Sequence, residues 1–163
     1  MSLLGKLRSL SKREFRRSCN VYCQPKSDQA IIASVYEHGG LTAEKAGGAC
    51  VFPLADKAAL TTGIQAALSQ CEYRSHFDYS RRKSTEWPAF LASGLRTVRQ
   101  FESDFALFGV HGVNQKNFFF EIESPKFGEF GLHLKIIVNA NDADFGEAIH
   151  YLLDVYRKCK QGR

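Results

Sequence analysis

Residues 105–139 read FALFGVHGVNQKNFFFEIESPKFGEFGLHLKIIVN, and their period of two decides the fold class. Phe105, Leu107 and Gly109 alternate with Ala106, Phe108 and Val110. Phe118, Phe120 and Ile122 then alternate with Phe119, Glu121 and Glu123, and Leu132, Leu134, Ile136 and Val138 with His133, Lys135 and Ile137. Alternation bounded by turn residues belongs to strands with one face on a core and the other partly open. The breaks, at Asn114-Gln115-Lys116 and from Pro125 through Gly128 to Gly131, are short, so the pairing is antiparallel. The stretch predicts a three-stranded β-meander.

Working outward, Asn139 to Asp142 offer N-cap residues for a last helix, and Asp144 and Glu147 suit the positive end of its dipole. Phe145, Ile149, Leu152, Leu153, Tyr156 and Cys159 form its buried stripe, with Arg157, Lys158 and Lys160 at the negative end. Upstream of the meander, Thr97 and Gln100 stand at capping-box spacing, after a short helix over 86–93 stopped by Gly94. Asp56 caps an earlier helix whose apolar residues are Leu60, Ile64, Leu68 and Cys71. Gly63 inside it costs ~1 kcal/mol relative to alanine, which close packing against the sheet explains. Residues 19–24 and 29–37 read as a hairpin turned by Pro25-Lys26-Ser27-Asp28. Gly39-Gly40 and Gly47-Gly48 flank a polar loop without the context of a phosphate-binding turn, and 49–54 form a third strand. The expectation is an α+β chain, with a single domain over 18–163. Its sheet is mainly antiparallel with a C-terminal β-meander and flanked by two main helices. Strand order stays open, because alternation assigns faces and leaves adjacency undetermined.

With 163 residues, 44% of them apolar, the chain carries one domain with a sizeable core. No apolar run approaches the ~18–20 residues of a membrane span, and Lys6 and Arg8 interrupt the leading leucines, so neither a membrane partner nor a secretory leader is expected. Cys19, Cys23, Cys50, Cys71 and Cys159 lack metal-ligand spacing and read as small buried hydrophobes of a reducing, cytoplasmic compartment. No cofactor motif is present.

The formal charge of +5 is unevenly spread. Residues 1–17 carry six basic groups against Glu14 alone, a basic amphipathic N-terminal arm with Leu3, Leu4, Leu7 and Leu10 at helical spacing. It reads either as an arm for nucleic acid or an anionic membrane surface, or as a terminal helix lying on the domain. Residues 18–156 carry 12 basic against 16 acidic groups, so the body is mildly acidic at −4.

Between 73 and 87 the periodicity is lost. Tyr73, Arg74, His76, Phe77, Asp78, Tyr79, Arg81, Arg82, Lys83 and Trp87 make a surface loop of aromatic and charged groups, the side chains that dominate binding hot spots. Such a loop also suits RNA, or its aromatics tuck under it as a satellite core. His111 and His133 fall on neighbouring parts of the expected sheet, facing each other only if the register allows it, and read as scattered or cross-strand histidines before an acid–base pair. Asp104 with Glu121 and Glu123 lacks the lysine of a metal-dependent nuclease. Glu121, Glu123 and Glu129 read as an acidic face of the sheet.

The order of these elements, with Thr62-Gly63-Ile64, Ala66-Ala67-Leu68-Ser69 and Ser93-Gly94 within the segment 87–101, resembles immunity proteins of bacterial contact-dependent growth inhibition systems. The resemblance covers about 18–160 and leaves the basic arm outside it. It implies a non-enzymatic binder that neutralises the C-terminal domain of a cognate toxin, many such toxins being nucleases. The contact would then come from Tyr73, Arg74, His76, Phe77, Asp78, Tyr79 and Trp87, or from Glu121, Glu123 and Glu129. An acidic body suits a basic nuclease surface. The alternatives are an RNA/DNA-binding module using the arm and the 73–87 loop, whose affinity would fall steeply with salt, and a small enzyme built on His111, His133 and the acids.

Overall fold

The computed structural model describes residues 17–38, 41–75, 86–114, 116–124, 132–139 and 144–161. Among these described residues seven strands form one sheet: β1 (Ser18–Gln24), β2 (Gln29–His38), β3 (Leu41–Pro53), β4 (Glu72–Tyr73), β5 (Ala106–Gly112), β6 (Asn117–Ser124) and β7 (Leu132–Asn139). Four α-helices among the described residues accompany them: α1 (Lys57–Ser69), α2 (Pro88–Ala92), α3 (Val98–Asp104) and α4 (Phe145–Gln161). The sheet order is β3-β2-β1-β5-β6-β7, antiparallel throughout, with β4 added in parallel to β2. The N-terminal hairpin and the C-terminal meander therefore join through β1 and β5, with Tyr22 opposite Leu107 and Ser18 opposite His111.

The meander has the expected faces. Phe108, Val110, Phe118, Phe120 and Ile122 are buried beneath α1 and α4 together with Cys19, Val21, Cys23 and Ile32. α4 contributes Phe145, Ile149, Leu152 and Leu153 to the same core, with Tyr156 at its margin. The main helices thus share one side of the sheet. On the other side α2 and α3 build a smaller core of Ala89, Phe90, Phe101 and Phe105 against Tyr22, Ile31 and Ala33.

Several expectations need correction. The polar segment after Gly40 is strand, since β3 runs from Leu41 and pairs Thr42 with Glu37 before a bulge opposite Ala33 and Val35. Gly47, at φ +68°, takes the left-handed conformation that lets β3 continue past this irregularity. Cys71 lies beyond α1, which closes at Gln70 as its amide bonds back to the Ala66 and Ala67 carbonyls. Cys50 is exposed, because β3 is an edge strand. The start of α4 is capped by Asp144, whose Oδ1 accepts the Glu147 amide at 3.0 Å and the Thr61 hydroxyl at 2.9 Å. Of the arm expected over 1–17, residues 1–16 lie outside the described residues.

Other local readings hold. Asp56 Oδ1 accepts the Ala59 amide at 2.9 Å, and Thr97 Oγ1 that of Gln100 at 3.2 Å. A Cβ on Gly63 would sit 2.7 Å from both Ile32 Cδ1 and Phe52 Cζ, the close approach that its place in a helix implied.

Candidate functional site

Alternation gives every strand of the meander a second face, and the short helices α2 and α3 cover only part of it. Beyond them β1, β5, β6 and β7 present Asn20, Leu107, Gly109, His111, Phe119, Glu121, His133, Lys135 and Ile137, the residues out of phase with the main core. Leu107 is 43% and Ile137 71% exposed, so this face shows water large apolar side chains as well as charge.

Glu121 is its centre. Lys135, directly opposite on β7, places Nζ 3.0 Å from Oε2, while His133 Nε2 lies 3.1 Å from that oxygen and His111 Nε2 3.3 Å from Oε1. Partial burial pushes the Glu121 carboxyl up, but Lys135, His133 and His111 outweigh it and hold it below the ordinary carboxylate range. Phe119 is sandwiched on the same face, its ring 4.9 Å from that of His111 and 4.2 Å from Lys135 Nζ, a cation–π contact.

A second carboxylate approaches from β2. Ser18 Oγ donates to Glu37 Oε1 at 2.6 Å and lies 3.1 Å from His111 Nδ1, so a chain of polar contacts runs Glu37–Ser18–His111–Glu121. With Ser18 donating to Glu37, all links of that chain are made at once only when both imidazole nitrogens carry protons. Burial opposes that form and lowers the His111 pKa, although Glu121 and Glu37 pull the other way.

Gly109 leaves a hollow of about 240 Å³ between these groups, lined by Asn20, Thr42, Leu107, Gly109, His111 and Glu121. A Cβ at Gly109 would fall 2.7 Å from His111 Nε2, so the absent side chain makes room both for the hollow and for the imidazole. A larger cleft of about 390 Å³, between the β1–β2 turn and α4, is lined by Lys26 and Arg157 against Glu102 and Asp104. Its charges are balanced and it borders no exposed large apolar side chain, so it offers less to a partner. Among the described residues no group of three or more His, Cys, Asp or Glu could hold a metal ion, and no helix is long and apolar enough to cross a membrane.

The residues expected to make contact separate. Tyr73 belongs to β4, and the Arg74 amide donates to the Glu37 carbonyl at 2.8 Å while its guanidinium lies 4.1 Å from the Tyr36 ring centre. Trp87 is half-buried in the smaller core, 5.8 Å from the Tyr22 ring and 4.9 Å from that of Phe101. It packs as a satellite-core aromatic, because Pro88 starts α2 immediately after it and turns it inward. His76, Phe77, Asp78, Tyr79 and Glu129 lie outside the described residues. The Glu123 backbone stands opposite that of His133 in the β6–β7 register. Of the expected acidic face, Glu121 is met by two imidazoles and an ammonium from β5 and β7. Asp104 bonds Gln24 at 3.5 Å at the far end of β5, remote from Glu121. Asn20, Thr42, Gly109 and Ser18 were not marked by sequence reading. The one available signal was Gly109, a residue with no side chain at an outward position of a strand.

No family model matches the chain, and no curated protein does either. Two solved structures share its fold. A protein of unknown function from Neisseria meningitidis aligns with 14% identity and a TM-score of 0.58, over 81% of this chain and 88% of that one. A chain of the CdiA-CT/CdiI toxin and immunity complex from Yersinia pseudotuberculosis aligns with 12% identity and a TM-score of 0.51, over 80% and 92%.

Proposed function

We propose that this chain is an immunity protein, which binds the toxin domain of a contact-dependent growth inhibition system one to one in the cytoplasm and catalyses no reaction of its own. The observation that carries the reading is the half-open sheet. One side is closed by α1 and α4, and the other leaves Leu107, Phe119 and Ile137 around a Glu121 already held by three partners. A rigid strand face with exposed apolar groups and a fixed polar centre suits stoichiometric protein binding, since little ordering is needed on contact. The likeness in fold to a chain of a toxin and immunity complex supports a toxin as the partner. The mildly acidic body supports a basic toxin, and a nuclease is the kind we favour.

The test is co-expression with the toxin domain encoded immediately upstream, followed by size-exclusion chromatography at moderate and high salt and by growth rescue of cells producing that domain. A salt-tolerant one-to-one complex and rescued growth are expected. Co-purifying nucleic acid that is lost at high salt, without rescue, would instead make the chain a nucleic-acid-binding module.

A further inference from the structure

The hollow above Gly109 is bordered by acceptor groups, among them Glu121, whose Oε1 carries one of its three contacts and Oε2 the other two. Asn20 spends its Nδ2 on Tyr22 and Glu44, at 3.5 and 3.3 Å, which turns its amide oxygen the other way. Thr42 is an exposed residue of the lining, and Glu121 forms one wall. Among the described side chains around the hollow, the carboxylates of Glu121 and Glu37 stand against the ammonium of Lys135. Leu107 and the Phe119 ring, beside His111, give the surroundings an apolar lining. A shallow, acceptor-lined hollow with a carboxylate wall and residual negative charge fits a planar cation with several donors. Arginine answers that description better than lysine, whose compact ammonium keeps its water.

We propose that the hollow over Gly109 is a receptor for an arginine side chain of a basic partner protein, its guanidinium bonding Glu121, the Asn20 amide oxygen and the Thr42 hydroxyl. The inference rests on the immunity reading for the partner's identity and on the hollow itself for the chemistry. It makes Gly109 a specificity position, because any side chain there displaces His111 and occupies the space the guanidinium would take.

Two measurements separate the two levels. In the first, ¹⁵N-labelled protein is titrated with the peptide acetyl-Gly-Arg-Gly-amide, with the glutamate peptide as control. The arginine peptide should shift the Gly109 and Glu121 amide resonances saturably at millimolar concentration, and the control should not. Thr42→Lys should abolish the shifts, and Thr42→Glu should preserve or strengthen them. In the second, the upstream toxin domain is titrated into the same variants, with Tyr151→Lys on the opposite side of the molecule as a control. Thr42→Lys should weaken the complex roughly thirtyfold or more, the scale of placing a like charge in a desolvated contact, and Tyr151→Lys should leave it unchanged.

If the arginine peptide leaves the Gly109 resonance in place, the receptor proposal falls even where the toxin binds. If the peptide saturates the hollow but the toxin is not bound, the cation site stands and the immunity reading falls. Saturation that appears only after Lys12, Arg13 and Arg16 are changed to Gln would make the chain's own arm the occupant and overturn the proposal.

Discussion

Glu44 on β3 accepts the Ala89 amide of α2 at 3.0 Å through Oε2, while its Oε1 accepts the Tyr22 hydroxyl at 2.5 Å. It is one of three polar residues buried among those described, at 5% exposure. The bond satisfies an amide at the start of a helix too short to stabilise itself, so one carboxylate ties α2 to the sheet. Glu44→Ala would leave the Tyr22 hydroxyl and the Ala89 amide buried without it, at about 1–3 kcal/mol for each lost acceptor. The expected outcome is a fall of that order in unfolding free energy by urea titration, with the near-ultraviolet signal of Tyr22 and Trp87 altered. A variant as stable as the parent would show that α2 docks by its apolar contacts alone.

Gly146 sets the distance between α1 and α4. A Cβ there would run into the Lys57 carbonyl oxygen and stand 2.7 Å from Lys57 Cα, and backbone yields less readily than a side chain. The approach is fastened by Thr61 Oγ1, which accepts the Gly146 amide at 2.9 Å and donates to Asp144. Gly146→Ala is expected to destabilise by the upper part of the ~1–3 kcal/mol range for overpacking, although it raises intrinsic helix propensity. Thermal unfolding checks it, and an unchanged or higher midpoint would contradict the close approach.

The meander was legible because its alternation is strict, with Phe118, Phe120 and Ile122 all reaching the core. Helix caps were legible at Asp56 and Thr97 because the cap chemistry is local. What could not be read was non-local. That β1 lies beside β5, which brings Ser18 to His111, follows from packing the whole sheet, and periodicity carries no information about it. The same limit applies to Glu121: its own strand marks it as outward and acidic, and only the β5 and β7 registers reveal that it is enclosed by His111, His133 and Lys135. Tyr73 and Trp87 read alike, yet one lies on a two-residue strand and the other in a core, because Pro88 and α2 act on Trp87 alone.

Trp87 supplies a test that separates contact from packing. Its ring meets Tyr22 and Phe101 edge-on, in the smaller core. Trp87→Ala should therefore cost roughly 2–3 kcal/mol of stability, below the range of a fully buried aromatic because the residue is half-buried. Once the remaining folded fraction is accounted for, its affinity for the toxin domain should match that of the parent. Ile137→Ala on the open face should do the reverse, leaving the unfolding midpoint in place and weakening the complex by calorimetry. Interchanged results would move the contact surface to α2.

The last prediction concerns acid. Burial depresses the His111 pKa below its ordinary 6.5, against the pull of Glu121 and Glu37 and with the push of Lys135. A histidine that takes a proton more readily in the unfolded chain than in the fold contributes nothing unfavourable above that value. As pH falls through about 6.5, the unfolded state binds the proton first, and stability declines until the folded pKa is reached. A single such group can supply at most about 1.4 kcal/mol per pH unit. Glu121 acts later and with the same sign. Its carboxyl is held below the ordinary carboxylate range, so its contribution is complete above that range and is lost as pH falls through the folded value. Urea unfolding between about pH 7.5 and 5, a span that brackets the ordinary histidine value, should show a slope that His111→Gln makes shallower. Glu121→Gln should flatten the curve at lower pH and, by removing a group that raises the His111 pKa, steepen the decline through the histidine range. Parallel curves for parent and His111→Gln would mean that His111 titrates alike in both states, and its enclosure by Ser18, Phe119 and Glu121 would then have no electrostatic consequence.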